Sequence, residues 1–195
     1  MNEKEKMLKG TLYDANYDKD LIADRLRAKD LCFKYNMTKP SDEKTLRKII
    51  KALKIKTNKN FSITAPFYCD YGYNITIGEN FYANHNLMIL DGNKVTFGDN
   101  VFIAPNCTFS TAGHPLDKKR RNEGLEYAHP ITVGSDVWIG ANVTVLPGVR
   151  IGSNVVIGAG SLVNKDIPRN SLAFGSPCKV IRKISEEDTK NLWEY

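Results

Sequence analysis

His114 is the side chain of this sequence best placed to do acid–base chemistry. It stands near the start of the polar segment 111–130, between Gly113 and Pro115. Histidine titrates near neutral pH, so it can take a proton from a reacting hydroxyl group. A surface histidine without a role is the alternative, but a polar loop that leaves a regular scaffold is where functional side chains are found. The sequence suggests no catalytic role for the other two histidines, His85 and His129.

The scaffold is predicted by a six-residue repeat of β-branched residues. Neither a helix nor a single long strand has this period, which is typical of a hexapeptide parallel β-helix. Gly and Asn recur beside the repeat and are expected to supply the positive φ angles of its corners. The fold class is therefore mainly β, and the segment 111–130 is predicted to protrude as a loop. The two rows are Val133, Ile139, Val145, Ile151, Ile157 and Val163, and Val137, Val143, Val149 and Val155.

The first 57 or so residues are predicted to be helical. Leu21, Ile22, Leu26, Cys32 and Tyr35 form an approximate apolar stripe in a charged segment. Ser41-Asp42-Glu43 is expected to open a second helix, because it has the residue types of an N-cap and an acidic first turn. Its apolar residues are spaced as one helix face and must pack on something, and the side of the β-helix is the nearest apolar surface. They are Leu46, Ile49, Ile50 and Leu53.

Composition narrows the function classes. The chain has 195 residues and a formal net charge of +6, which suits an anionic partner such as a phosphate-rich small molecule. The basic residues form no long run with interleaved aromatic residues, the pattern that would indicate nucleic-acid binding. No apolar run approaches the roughly 18 residues of a membrane span. The four cysteines are scattered without metal-type spacing, so reduced thiols in a cytoplasmic protein are expected.

Several motifs resemble those of the maltose/galactoside O-acetyltransferases, which are hexapeptide-repeat acyltransferases with a left-handed parallel β-helix. The resemblance covers nearly the whole chain. It implies a helical cap at 1–58, a β-helix domain at 59–184 with the protruding loop 111–130, and a short C-terminal helix at 185–195. The motifs are Gly10-Thr-Leu-Tyr-Asp14, Asp24-Arg-Leu-Arg-Ala28, Cys69-Asp-Tyr-Gly-Tyr-Asn74, Asn80-Phe-Tyr-Ala-Asn84, Ala104-Pro-Asn106, Gly113-His-Pro115 and Pro147-Gly-Val149.

The resemblance implies transfer of an acetyl group from acetyl-CoA to a sugar hydroxyl in a ternary complex. His114 corresponds to the general base, and Asn84 to a residue that stabilises the oxyanion of the tetrahedral intermediate. A backbone N–H near Ala141 is a second oxyanion donor. The family assembles as a homotrimer with its sites between subunits, and no metal is required.

The resemblance also implies two sets of binding residues. Two acceptor positions depart from the family pattern: the acidic contact falls on Asp91 or on Gly92, and Glu126 stands where some relatives have an apolar contact. Lys179 stands where Arg is common in the phosphate site. The acceptor set is Asp14, Arg25, Asp70, Asn84, Asp91 and Glu126. The acetyl-CoA set is Ala112, Ala141, Ala159, Asn164, Lys165, Lys179 and Arg182.

Three alternatives remain open at this point. The enzyme could acetylate another hydroxyl acceptor, such as a xenobiotic or an oligosaccharide. A metal protein resembling the γ-class carbonic anhydrases would need His85, His114 and His129 to converge on one ion. A β-helix without catalytic activity could serve as a scaffold, although the polarity of the loop argues against this.

Overall fold

A computed structural model describes residues 1–190. The chain begins with three helices and one short strand: α1 (Glu3–Lys9), β1 (Tyr13–Asp14), α2 (Lys19–Met37) and α3 (Glu43–Ala52). The expected second helix is confirmed, because the Asp42 carboxylate caps α3 by accepting from the backbone N–H of Thr45 at 3.1 Å. The stripe expected on α2 is partly wrong: Ile22 and Leu26 are 40% and 60% exposed.

The other elements of the described residues are short strands, together with the short helix α4 (Lys118–Asn122) and a 3-10 turn at Glu186–Thr189. Before the 111–130 segment these are β2 (Lys56–Thr57), β3 (Phe61–Ile63), β4 (Phe67–Cys69), β5 (Ile75–Ile77), β6 (Phe81–Ala83), β7 (Leu87–Leu90), β8 (Val95–Phe97), β9 (Val101–Ile103) and β10 (Thr108–Ser110). Within it lie β11 (Ala112–Gly113) and β12 (Leu125–Ala128). After it come β13 (Ile131–Val133), β14 (Val137–Ile139), β15 (Thr144–Val145), β16 (Arg150–Ile151), β17 (Val155–Ile157), β18 (Leu162–Val163), β19 (Ser171–Phe174) and β20 (Lys179–Lys183).

The strands form three parallel sheets that are the three faces of a β-helix. The first face is β2-β5-β8-β13-β16, the second is β3-β6-β9-β14-β17-β19, and the third is β4-β7-β10-β15-β18. Each coil contributes one strand to each face in turn, so three corners, or edges, run along the coil. The antiparallel strand β20 pairs with β19 at the end of the second face. The predicted mainly β, parallel β-helix fold is confirmed.

The six-residue repeat fills the interior as predicted. All ten Val and Ile residues of the two rows are buried, and eight of them pair with one another one coil apart. The pairs are Val133 with Ile151, Val137 with Val155, Ile139 with Ile157 and Val145 with Val163. Burying one such side chain contributes about 1.5–3 kcal/mol before conformational entropy is subtracted. One stacked core of this kind holds the edges of the coil in fixed positions.

The corners use Asn and Gly in different ways. Asn80, Asn100 and Asn142 adopt the positive φ that the sequence predicts, with values of 54°, 55° and 58°. Gly98 does not need a positive φ; a Cβ there would lie 2.6 Å from the Ser135 hydroxyl of the next coil. The repeat glycines therefore permit close stacking of coils, rather than an unusual backbone angle.

Two predictions at the ends of elements are modified. The segment 111–130 protrudes, but it is ordered by β11, α4 and β12 instead of being an irregular loop. Of the C-terminal helix expected at 185–195, the described part is the 3-10 turn Glu186–Thr189, and residues 191–195 lie outside the described residues.

Candidate active site

A small antiparallel sheet holds His114 in place. Strand β12 pairs with β11 on one side and with β1 of the cap on the other. In this register Gly113 lies opposite Tyr127, so His114, the next residue, continues toward Glu126. A Cβ on Gly113 would lie 2.5 Å from the Tyr127 ring, so glycine is required before the histidine. The cap thus helps to fix a residue of the coil's protruding segment.

The His114 ring has one nitrogen engaged and one available. Nδ1 lies 3.1 Å from the carbonyl oxygen of Leu125, which can only accept, so the hydrogen-bond partner assigns the proton to Nδ1. Nε2 is then the basic nitrogen, and its described partner is Oε1 of Glu126 at 3.8 Å. The His114 side chain is 50% exposed, so a substrate hydroxyl can reach Nε2.

Glu126 is itself held by the cap. Its Oε2 accepts a 3.0 Å hydrogen bond from the hydroxyl of Tyr13, which lies on β1 and is buried. Burial and the neighbouring Glu126 carboxylate raise the pKa of Tyr13, so its hydroxyl stays protonated and donates. Glu126 therefore keeps one oxygen directed at His114, where it would stabilise the ring once the ring has taken a proton.

Arg25 and Asp70 lie in the same part of the molecule. The Arg25 guanidinium donates to the Tyr71 hydroxyl at 2.7 Å and to the carbonyl oxygen of Ala15. Burial raises the pKa of Tyr71 to about 12. Burial also raises the pKa of Asp70, while Arg25 acts in the opposite direction. Among residues 1–190 the Asp70 carboxylate makes no hydrogen bond or ion pair, so it can accept from a ligand.

Asp14 is partly committed to its own turn. Its Oδ1 accepts from the backbone N–H groups of Asn16 and Tyr17, at 3.2 and 2.9 Å. The carboxylate stays near the cap–loop sheet because Asp14 pairs with Leu125. One carboxylate oxygen remains for a ligand.

Asp91 does not have the setting of an acceptor contact. Its side chain is fully buried, and its two oxygens accept from the backbone N–H groups of Asp70, Tyr71, Gly72 and Asn74 at 2.8–3.4 Å. Burial raises the pKa of Asp91 to about 7, against the opposing effect of these N–H donors. Asp91 fixes the corner that carries Asp70, so its expected contact with the sugar is replaced by a structural role.

Asn84 lies on a different edge of the coil. His114 and its loop leave the corner between the third and first faces, which we call the loop edge. Asn84 lies between β6 and β7, on the corner between the second and third faces, which we call the Asn84 edge. Its Oδ1 accepts from the N–H of His85 at 2.8 Å, and its Nδ2 has no described partner. No hydrogen bond or ion pair among residues 1–190 joins Asn84 to His114.

The residues expected to bind acetyl-CoA are divided between the same two edges. Ala141 and Ala159 lie one coil apart on the Asn84 edge. A Cβ on Gly140, the residue before Ala141, would lie 2.6 Å from the backbone nitrogen of Ala159. Ala112, Asn164 and Lys165 lie along the loop edge. The residues expected to bind acetyl-CoA therefore lie in two separate groups on one chain.

Lys179 and Arg182 lie on β20, whose residues are exposed. The Arg182 guanidinium is already engaged, because it donates two hydrogen bonds to the Asp188 carboxylate at 2.7 and 2.8 Å. This contact lowers the pKa of Asp188 to about 2. A phosphate group would have to share or displace Asp188 to contact Arg182, whereas Lys179 makes no described ion pair.

The sequence interpretation missed three parts of the site. The Leu125 carbonyl sets the His114 tautomer, Tyr13 holds Glu126, and Tyr71 holds Arg25. Tyr13 and Tyr71 lie inside the motifs that carry the family resemblance. Their position in those motifs is the one sequence feature that could have marked them as part of the site. It also missed an exposed aromatic row on the second face, formed by Tyr82, Phe102 and Trp138, which are 38%, 42% and 55% exposed.

Comparison with known proteins agrees with this geometry. Residues 6–53 match the model of the maltose acetyltransferase hexapeptide capping motif, and residues 130–165 match six repeats of the bacterial transferase hexapeptide. The chain is 57% identical over 189 residues to a putative acetyltransferase of Saccharomyces cerevisiae, covering 97% of this chain and 96% of that protein. It is 50% identical over 164 residues to the galactoside O-acetyltransferase of Escherichia coli, covering 84% and 81% of the two chains. The chain belongs to the maltose/galactoside acetyltransferase family.

A solved structure of a galactoside acetyltransferase has the same fold as this chain. A galactoside acetyltransferase in complex with coenzyme A matches with a TM-score of 0.93 and 45% identity, covering 100% of this chain and 96% of that chain. The predicted family and the predicted class of enzyme, an acyltransferase, are therefore confirmed.

Two features of residues 1–190 concern the metal-protein alternative and the expected absence of a membrane span. These residues contain no group of three or more His, Cys, Asp or Glu side chains arranged to hold a metal ion, so a single chain offers no three-histidine site. None of the helices in this part of the chain combines the length and the apolar character needed to cross a membrane.

Proposed function

We propose that the protein transfers an acetyl group from acetyl-CoA to a sugar hydroxyl, by direct attack in a ternary complex. The observation that carries this proposal is the His114 ring: Nδ1–H is held by the Leu125 carbonyl, and Nε2 is basic and exposed. That arrangement fits a general base for a hydroxyl nucleophile.

His114 and Glu126 act together in the proposed mechanism. Nε2 of His114 takes the proton as the acceptor oxygen attacks the thioester carbonyl. The ring then carries a positive charge that faces Oε1 of Glu126, 3.8 Å away. When the intermediate collapses, His114 returns the proton to the leaving thiolate of CoA.

Asn84 fits the role of an oxyanion donor. Its Oδ1 is fixed by the His85 N–H, so its Nδ2 hydrogens are directed away from the backbone and are available to an oxyanion. The backbone N–H of Ala141, on the same edge, is a second candidate donor.

The acceptor side of the proposed site is formed by polar groups near His114. Asp70 has an unoccupied carboxylate, Arg25 is held beside it, and Asp14 and Glu126 border the cap–loop sheet. Such groups suit the hydroxyls of a sugar. Glu126 adds a charge where some relatives have an apolar contact, so a xenobiotic or an oligosaccharide remains the alternative acceptor.

Acetyl-CoA fits the small residues and lysines of the two edges. Ala141 and Ala159 leave space along the Asn84 edge for a pantetheine arm, and Lys165 and Lys179 supply exposed cations for its phosphates. A cytoplasmic location, where thiols are kept reduced, agrees with this cosubstrate.

The same division of residues supports a homotrimer. One chain keeps His114 and Asn84 on different edges, so a complete site requires the loop edge of one subunit and the Asn84 edge of its neighbour. The aromatic row on the second face provides apolar surface for that contact. Cyclic association of three chains closes the ring and gives three equivalent sites.

The test is acetyl-CoA-dependent thiol release against a panel of glucosides, galactosides, maltose, amino-sugar oligosaccharides and a xenobiotic alcohol, with a protein-only blank for the native cysteines. We expect release that depends on the sugar and falls by at least about 100-fold in His114→Asn. Preference for the xenobiotic alcohol would favour the alternative acceptor, and failure to bind CoA would overturn the proposal.

A further inference from the structure

Two buried thiols lie where the cap meets the coil. Cys32 is on α2, Cys69 ends β4, and the two side chains are 2% and 5% exposed at residue level. Their Sγ atoms are 3.8 Å apart, within the range of a thiol–thiol hydrogen bond. Neither residue has a role in the proposed acetyl transfer.

We propose that Cys32 and Cys69 are a redox modification site, at which a peroxide converts the two thiols into a disulfide between cap and coil. The Sγ atoms of a disulfide are about 2.0 Å apart, so the pair has less than about 2 Å to close. Rotation of the two side chains can supply most of this movement, because α2 is already packed on β4.

The oxidation of the two thiols uses no group from the proposed acetyl-transfer site. The hydrogen bond with Cys69 lowers the pKa of Cys32, whereas the pKa of Cys69 is raised. Cys32 is therefore the thiol of the pair that loses its proton more readily and attacks as the thiolate. It attacks one peroxide oxygen, the O–O bond breaks, and Cys32 becomes a sulfenic acid as hydroxide leaves and is protonated. The Cys69 sulfur then attacks the Cys32 sulfur, the S–S bond forms, and water leaves with the Cys69 proton. Two thiols are oxidised, and hydrogen peroxide is reduced to two waters.

A recess gives a small oxidant a way to this pair. It has a volume of about 510 Å³, and its lining includes Cys32, Cys69, Phe33, Tyr68 and Met88. Its apolar wall would exclude large polar reductants more readily than a peroxide molecule.

The other two cysteines serve as internal controls. Cys107 is fully buried in the coil, where its thiol donates to the Gly140 carbonyl oxygen at 3.1 Å. Cys178 is 7% exposed. In the described part of the chain neither one contacts another thiol.

The disulfide would close the segment between residues 32 and 69, which includes α3 and the first strands of the coil. Closing a segment of this length reduces the conformational freedom of the unfolded chain. We therefore expect the oxidised protein to melt several degrees higher than the reduced protein.

The experiment treats the reduced, folded protein with graded hydrogen peroxide, removes the peroxide, and unfolds the protein in guanidinium chloride so that the remaining buried thiols can be alkylated. Linked peptides are then identified by mass spectrometry. We expect a Cys32–Cys69 linked peptide, alkylated Cys107 and Cys178, and a rise in Tm that dithiothreitol reverses. Cys107→Ser should behave like wild type, while Cys32→Ala should lose both the link and the rise in Tm.

The result on the wild-type protein decides the proposal even if a variant fails to fold. Alkylation of all four cysteines after treatment, a link to Cys107 or Cys178, or a Cys32 sulfinic acid without the link would each overturn it. The proposed acetyl transfer needs neither thiol. If the untreated protein shows no acetyl transfer, the result counts against the proposed function and leaves the disulfide proposal unaffected.

Discussion

At the scale of single residues, the proposed chemistry depends on how the His114 ring is oriented. The Leu125 carbonyl fixes the proton on Nδ1, and the Glu126 carboxylate faces Nε2. Glu126 is fixed in turn by Tyr13, which belongs to the cap. This chain of contacts connects the N-terminal segment to the ring that takes the proton in the proposed reaction.

Replacing Glu126 by Gln should lower kcat by about tenfold with little change in the KM for acetyl-CoA. The amide keeps the size of the side chain but removes the negative charge that faces the protonated ring. Steady-state kinetics with acetyl-CoA and the best acceptor of the panel measures this effect.

Glu123→Gln is the matched control, because Glu123 lies in the same segment and its exposed carboxylate makes no described contact. It should retain wild-type kcat. Equal losses in the two variants would show that charge near the loop, and not the contact with His114, is what matters.

At the scale of elements, the cap and the protruding segment share one sheet, and buried polar groups hold the corner beneath it. Asn93 donates to the carbonyl oxygens of Met7, on α1, and Ala128, on β12, at 3.1 and 2.8 Å. Asp91 accepts four backbone N–H groups of the corner 70–74. These two side chains tie the cap, the loop and the coil together.

Asp91 should make stability depend on pH in a defined direction. Its pKa is raised from 3.8 to about 7 in the folded state, so between these values the folded protein binds more protons than the unfolded chain. The Asp91 contribution to the free energy of unfolding is therefore fully present below about pH 4 and is lost as the pH rises through about 7. The difference in this free energy between wild type and Asp91→Asn should shrink by a few kcal/mol across that window.

Urea unfolding of wild type and Asp91→Asn at pH 5 and pH 8, at one protein concentration, measures this difference. The comparison cancels the titration of groups that do not interact with Asp91, and Asp70 is the neighbouring carboxylate that does. A difference that stays constant or grows with pH would show that Asp91 is ionised throughout.

The elements differ in how far the sequence could predict them. The rows of Val and Ile could be predicted from the sequence, because the period is local and most of these residues pair with another Val or Ile one coil away. The pairing of Tyr13 with Glu126 could not, because the two residues are 113 positions apart and β1 has two residues, too few for a period. The stripe on α2 was misjudged at Ile22 and Leu26 because periodicity does not show which side of a helix finds a partner.

The candidate site was predicted unevenly for the same reason. His114 stood out because a polar segment interrupts a regular repeat. The resemblance puts the acidic acceptor contact at Asp91 or Gly92, but the sequence does not show the four backbone N–H groups that surround the Asp91 carboxylate. The family resemblance supplied residue types and positions, whereas the burial of each side chain required the structure.

At the scale of the whole molecule, the central claim is that an active site forms between two chains. His114 lies on the loop edge and Asn84 on the Asn84 edge, and no described contact joins them. The exposed row of Tyr82, Phe102 and Trp138 lies on the face that leads to the Asn84 edge. The stacked coil keeps the loop edge and the Asn84 edge of one chain apart.

The most direct test mixes two inactive variants, His114→Ala and Asn84→Ala, after dissociation and reassembly in equal amounts. Each homotrimer lacks one half of every site. Each mixed trimer has one of its three interfaces with an intact His114 facing an intact Asn84 of the neighbouring subunit. Random reassembly makes about three quarters of the trimers mixed, so about a quarter of wild-type acetyl transfer should return over the whole population. Mixing without reassembly is the control and should restore nothing. If reassembled trimers, verified by mass, remain as inactive as their parents, the site does not form between subunits in this way.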